Sequence, residues 1–174
     1  MSELTDLQAA IRDVVDFPKP GIVFKDITPV LADPVLLRQM VDHFADRYRD
    51  KDIDRIAAVD ARGFIIGSAL AYALGVGMVP IRKKGKLPFN AIEHSYDLEY
   101  GSATLQLHID AVEKGERVLL VDDLLATGGT LDASIRLLNE LGAEIHEVVV
   151  LVELAFLKGR ERLAPVPVYS PIIY

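Results

Sequence analysis

The sequence predicts a single open, doubly wound α/β domain with a mainly parallel sheet, spanning residues 1–174. Three observations carry that prediction. "RIAAVD", "RVLLVDD" and "IHEVVVLVEL" are continuously apolar, as strands of a parallel sheet covered on both faces must be. Helix-like segments separate them, which is the order of a doubly wound fold. The length suits one well-buried core and is short for two. Ligands of such folds bind at the carboxyl ends of the strands.

Each element follows from local pattern. Residues 3–15 predict a short helix, with Leu4, Leu7, Ile11 and Val14 or Val15 at helical spacing. "DFPKPGIVFKDITPVLADP" is punctuated by prolines and a glycine, so it predicts an irregular excursion with short extended pieces. Asp33-Pro34 is an N-cap followed by a proline at the first helical position. Leu37, Met40, Val41, Phe44 and Tyr48 make the helix that follows amphipathic. "RIAAVD" (55–60) predicts a strand, 63–75 a helix and "GMVPIRK" (77–83) a strand. "SYDLEYG" and "SATLQLHI" alternate apolar and polar residues on either side of Gly101-Ser102, the pattern of a hairpin. "RVLLVDD" and "IHEVVVLVEL" predict buried strands flanking the helix "GTLDASIRLLNELG", which Gly142 closes.

Composition narrows the function classes. With 51% hydrophobic and 26% charged residues the chain is globular. A formal charge of −7 argues against nucleic-acid or anionic-membrane partners, which need a basic face. The absence of cysteine excludes disulfides, thiolate catalysis and zinc–cysteine sites. The opening "MSELTDLQAAIRDVVD" lacks the basic and apolar regions of a signal peptide. No apolar run approaches the ~20 residues that span a bilayer. The expectation is a soluble cytoplasmic protein. His43, His94, His108 and His146 show no metal spacing and read as structural or solvent-exposed.

Chemistry concentrates in "VLLVDDLLATGGTL", residues 118–131. A lone "GG" is ordinarily a turn, and "DD" ordinarily a cap. Between a buried strand and a helix, however, the whole string forms a phosphate cradle: backbone N–H groups and the positive helix end face the ligand. Gly128 and Gly129 let the backbone approach closely, and Thr127 and Thr130 add hydroxyl donors. Asp122 and Asp123 would repel that phosphate unless vicinal sugar hydroxyls, or Mg²⁺ holding them, lie one sugar away. Both carboxylates are expected to be solvent-reachable. No GxxxxGK[ST] and no GxGxxG after a strand is present, which excludes the common ATPase and dinucleotide cradles.

"VLLVDDLLATGGT" resembles the phosphoribosyl-pyrophosphate (PRPP) signature of type I phosphoribosyltransferases, in the form found in those that act on adenine. "FPKPGIVFKDITPVL", "DARGF", "IRKKGKLP", "YDLEYG" and "LVEL…LKGRERLAPVPVYS" stand in the family's order, so the likeness covers nearly the whole chain. It implies the type I phosphoribosyltransferase fold, with a small N-terminal hood (about 16–33) and a flexible lid hairpin (about 82–101). The pyrophosphate loop would be 60–63 and the PRPP loop 122–130.

The implied reaction joins adenine and PRPP into AMP and pyrophosphate, with Mg²⁺ carried on PRPP and Asp122 and Asp123 as its candidate protein ligands. Those two, with Ala126, Thr127, Gly128, Gly129 and Thr130, would hold the ribose and 5-phosphate. Asp60, Ala61, Arg62, Arg82, Lys83 and Lys86 would face pyrophosphate, with a non-proline cis peptide at Asp60-Ala61. Val23, Phe24, Lys25, Leu125 and Ala126 would surround adenine; many relatives carry arginine where Lys25 stands. Glu99 and Arg62 would be catalytic, Glu99 managing the purine proton beside the lid residue Tyr100. By spacing alone, Glu99 reads as an exposed strand carboxylate. The family is dimeric, so a homodimer is implied. The rival readings are a phosphoribosyltransferase for another base and a non-catalytic PRPP-sensing regulator of the same fold.

Overall fold

The computed structural model describes residues 3–97 and 102–174. The chain runs α1 (Glu3–Ala10), β1 (Arg12–Val15), β2 (Val23–Asp26), α2 (Thr28–Ala32), α3 (Pro34–Tyr48), β3 (Arg55–Val59), α4 (Arg62–Leu74) and β4 (Gly77–Lys83). It continues through β5 (Ala91–Asp97), β6 (Ser102–His108), β7 (Arg117–Leu125), α5 (Gly129–Glu140), β8 (Glu144–Glu153), α6 (Gly159–Leu163), β9 (Val168–Tyr169) and β10 (Ile172–Ile173).

Among the described residues an eight-stranded sheet runs β10-β8-β7-β3-β4-β6-β5, with β9 also on β8. Its centre is parallel; β4 meets β6, and β6 meets β5, antiparallel. Adjacent residues of β7 serve opposite faces. Val118 and Leu120 pack with α5, and Leu119 and Val121 with α1, α3 and α4. All four are fully buried, which accounts for a continuously apolar strand. The α/β reading therefore holds. No helix of the described residues is long and apolar enough to cross a membrane.

Three expectations change. The helix read over 3–15 stops at Ala10, because Arg12–Val15 pairs antiparallel with Val23–Asp26. Leu7 and Ile11 still reach the core, but β-branched Val14 and Val15 take a strand partner far along the chain. The excursion contains a short helix, Thr28–Ala32, started by Pro29. And β7 runs two residues past "VDD", to Leu125. Asp33 caps α3 as expected, accepting from the N–H groups of Val35 and Leu36. A hairpin pairing forms between residues 91–97 and 102–108; its first arm begins at Ala91, ahead of "SYDLEYG", and residues 98–101 lie outside the described residues.

Candidate active site

The carboxyl ends of β3 and β7 lie side by side, and the chain leaves both on tight turns. After β3 the Asp60–Ala61 peptide is cis, and α4 begins at Arg62. After β7 comes Ala126–Gly128, where Gly128 holds φ +83° ahead of α5. An L side chain rarely tolerates that conformation, so glycine belongs there. Gly159 supports the turn from behind: a Cβ on it would lie 2.2 Å from the Ala126 carbonyl oxygen. This glycine of "LKGRER" escaped the sequence reading of the cradle, because its role rests on a contact between distant segments.

Asp123 is only 4% exposed and accepts from Arg62 Nε at 2.5 Å. Both carboxylates were expected to be solvent-reachable; Asp123 is instead enclosed by Arg62 and the α4 start. Asp122 is partly exposed and accepts the Asp123 N–H at 2.8 Å. Burial, reinforced by the neighbouring Asp123 charge, raises the Asp122 carboxyl well above the usual carboxylate range. Burial opposes the Arg62 charge, but the Asp123 hydrogen bond and charge outweigh it and the guanidinium is held more firmly protonated. Arg62 also lies over the Phe24 ring, 5.2 Å from its centroid. One guanidinium thus joins β2 to the end of β7.

Three compartments meet here. A cleft of about 360 Å³ is lined by Asp60, Ala61, Arg62, Lys83, Tyr96, Asp122, Asp123 and Thr130. At its mouth Arg82 Nε and Lys86 Nζ converge on Asp60, at 3.0 and 3.6 Å. The cradle itself, about 90 Å³, is bounded by Asp122 and Leu124–Leu131. Beyond Thr127 a mainly apolar groove of about 590 Å³ runs between Gly21–Lys25 and Leu154–Leu157.

Val23 and Lys25 both line this groove, and Lys25 is held at its wall by two other lining residues. Lys25 Nζ pairs with Asp13 at 2.6 Å and sits 3.8 Å from the Tyr174 ring centroid. Leu125 is fully buried, whereas its neighbour Leu124 is partly exposed. Leu124, Leu154, Phe156 and Tyr174 are therefore apolar neighbours of the site that the sequence reading missed. Their own segments carry no signal beyond hydrophobicity. Glu99 and Tyr100 lie outside the described residues. Among the described residues no group of three His, Cys, Asp or Glu side chains could hold a metal by itself.

Comparison with known proteins agrees with this geometry. A family model for the phosphoribosyl transferase domain matches residues 30–168. The adenine phosphoribosyltransferase of Syntrophotalea carbinolica is 56% identical over 167 residues, covering 96% of this chain and 98% of that one. The crystal structure of adenine phosphoribosyltransferase from Thermoanaerobacter pseudethanolicus has a TM-score of 0.95 at 47% identity, covering 98% of this chain and 99% of that one. The Saccharomyces cerevisiae enzyme, complexed with D-2,5-dideoxy-2,5-imino-altritol 1,6-bisphosphate and adenine, has a TM-score of 0.92 at 38% identity, covering 97% and 98%. The chain belongs to the phosphoribosyltransferase family and, within it, to the adenine phosphoribosyltransferases.

Proposed function

We propose that this chain transfers the 5-phosphoribosyl group of PRPP to adenine, releasing pyrophosphate and forming AMP, a purine-salvage reaction. The observation that carries the reading is the row of three adjoining compartments: a cleft with cationic walls, a phosphate cradle beside two carboxylates, and an apolar groove. PRPP has pyrophosphate, ribose and 5-phosphate in that geometry, and the base must arrive from the remaining side.

Ala126, Thr127, Gly128, Gly129 and Thr130 take the 5-phosphate, with N–H groups that the start of α5 leaves without helical partners. Asp122 and Asp123 accept from the ribose hydroxyls. Arg62 and Lys83 face the pyrophosphate, while Asp60 aligns Arg82 and Lys86 at its edge. Departure of pyrophosphate leaves positive charge on the ribose ring. The carboxylates beside the ring favour that charge, and most of the acceleration comes from positioning and preorganised electrostatics. Adenine lies in the groove against Val23, Phe24 and the backbone at Lys25, with Leu125 and Ala126 at the adjoining end of the cradle. Glu99 manages the purine proton and Tyr100 belongs to the lid over 82–101.

Mg²⁺ fits this site as a passenger of the substrate. Two adjacent carboxylates, one already committed to Arg62, do not form a protein cage, and Mg²⁺ commonly combines one or two carboxylates with substrate phosphates. When bound it neutralises the leaving pyrophosphate. A homodimer in the cytoplasm completes the reading. Ile65 (47% exposed) and Tyr72 (92% exposed), two turns apart on α4 directly after the pyrophosphate loop, offer the apolar face for it.

The test is to incubate purified protein with PRPP, Mg²⁺ and each free nucleobase, then identify the nucleotide formed. AMP from adenine is expected, with hypoxanthine and guanine disfavoured by up to ~10⁴-fold, since hydrogen-bonded edges reject mismatched partners. Comparable turnover of hypoxanthine or guanine overturns the base assignment.

A further inference from the structure

The last hydroxyl of the cradle has a partner on another element. Thr130 Oγ1 lies 3.1 Å from the phenolic oxygen of Tyr96 on β5. The Tyr96 ring packs against the α5-side core, and its edge passes 3.3 Å from where a Cβ on Gly129 would be. A glycine there admits the ring. Tyr96 also lines the cleft that holds Arg62, Asp122 and Asp123, so its hydroxyl stands at the border between cleft and cradle.

Thr130 has one hydroxyl hydrogen and a tyrosine hydroxyl can either donate or accept. Phosphate oxygens in the cradle mainly accept. With a phosphate monoester bound, Thr130 therefore satisfies both neighbours in a single arrangement: Tyr96 donates to Thr130, and Thr130 donates to the phosphate. Aligned hydroxyls of this kind polarise one another and strengthen the terminal bond.

We propose that Tyr96 is a positioning residue for the 5-phosphate, turning the Thr130 hydroxyl toward the ligand through a two-hydroxyl relay. This rests on the cradle being the 5-phosphate site. It also ties the β5–β6 hairpin to the cradle through two residues 34 positions apart in sequence.

Tyr96→Phe removes the hydroxyl and keeps the ring over Gly129. Ribose 5-phosphate is the probe, because it fills the cradle without a pyrophosphate; its dissociation constant is read by calorimetry, alongside that of PRPP with Mg²⁺. Both should weaken about 3- to 10-fold in Tyr96→Phe, the size of one modest hydrogen bond. KM for adenine and the melting temperature should stay at wild-type values. In a Thr130→Val background Tyr96→Phe should add nothing, whereas in Thr130→Ser, which keeps the hydroxyl, its effect should return. Wild-type affinity in Tyr96→Phe, or an equal loss in the Thr130→Val background, overturns the relay alone. Failure of the wild-type protein to bind ribose 5-phosphate overturns the cradle reading and the relay with it.

Discussion

Two carboxylate sites occupy opposite ends of the same pair of parallel strands, and they are built on opposite terms. Near the start of β8, Glu147 accepts from Arg47 Nε and Nη2, both at 3.1 Å, and from the Tyr48 hydroxyl at 2.5 Å. Arg47 in turn lies 3.7 Å from the Tyr169 ring centroid. Near the end of β7, the Arg62 guanidinium reaches Asp123 through Nε, and Asp122 accepts the Asp123 N–H. Cavity size points the wrong way: about 620 Å³ opens beside Glu147 against about 360 Å³ beside the aspartates. Pairing separates the two better than volume. A carboxylate held by three donors from two neighbouring side chains holds elements together, and one left short of donors is available to a ligand.

The sharpest way to break that contrast is to neutralise each side in turn. Asp123→Asn should lower kcat by ~10²–10³, the loss expected for one preorganised transition-state partner. Its melting temperature should fall little, because the Arg62 side chain, 42% exposed, can hydrate once released. Glu147→Gln should do the reverse, keeping kcat and losing about 1–3 kcal/mol of stability, since it disturbs three donors at once. At this chain length that is a fall of roughly 3–10 °C. Paired kinetics and thermal denaturation of the two variants decide the matter. Equal patterns in both would erase the distinction drawn between the two sites.

A smaller effect sharpens the comparison within the aspartate pair. The folded state raises the Asp122 carboxyl above its unfolded value. A raised carboxyl contributes stability that is fully present below the ordinary carboxylate pKa and is lost as pH rises through the folded value. At neutral pH the poorly hydrated, repelled charge is therefore a net cost, which asparagine lacks. Asp122→Asn should melt a few degrees above wild type near pH 7, with the gain shrinking toward about pH 4. Melting curves across that range, with chelator present, test the sign. A variant less stable than wild type at neutral pH would refute it.

The smallest effect concerns the base end. Lys25 points to Asp13 and Tyr174, so Lys25→Arg keeps the charge pair and should change KM for adenine less than about twofold. Asp13→Asn frees Lys25 and loosens β2; KM for adenine should rise a few-fold with KM for PRPP unchanged. A shift confined to PRPP would place Lys25 elsewhere in the site.

Legibility in the sequence followed the range of the interactions involved. "VDDLLATGGT" was readable because the cradle is one continuous turn between a strand and a helix, with every part local. The Asp33-Pro34 helix start was readable for the same reason. Helix α1 was overextended because the pairing of Arg12–Val15 with residues 23–26 outweighs a weak helical period. Which of Leu124 and Leu125 is the more exposed was not readable, because adjacent strand residues face opposite layers and composition does not say which layer is open.

The sequence by itself determined the α/β class, the succession of strands and helices along the chain and the place of the cradle. These depend on apolar periodicity, glycine and proline, which act within a few residues of where they stand. Only the tertiary structure decided that Asp123 is enclosed by Arg62, that Gly159 backs the cradle and that Tyr96 meets Thr130. Each of those is a contact between residues from about 30 to 60 positions apart. Such contacts exist only once the sheet has brought β3, β5 and β7 together, and no local pattern encodes that distance.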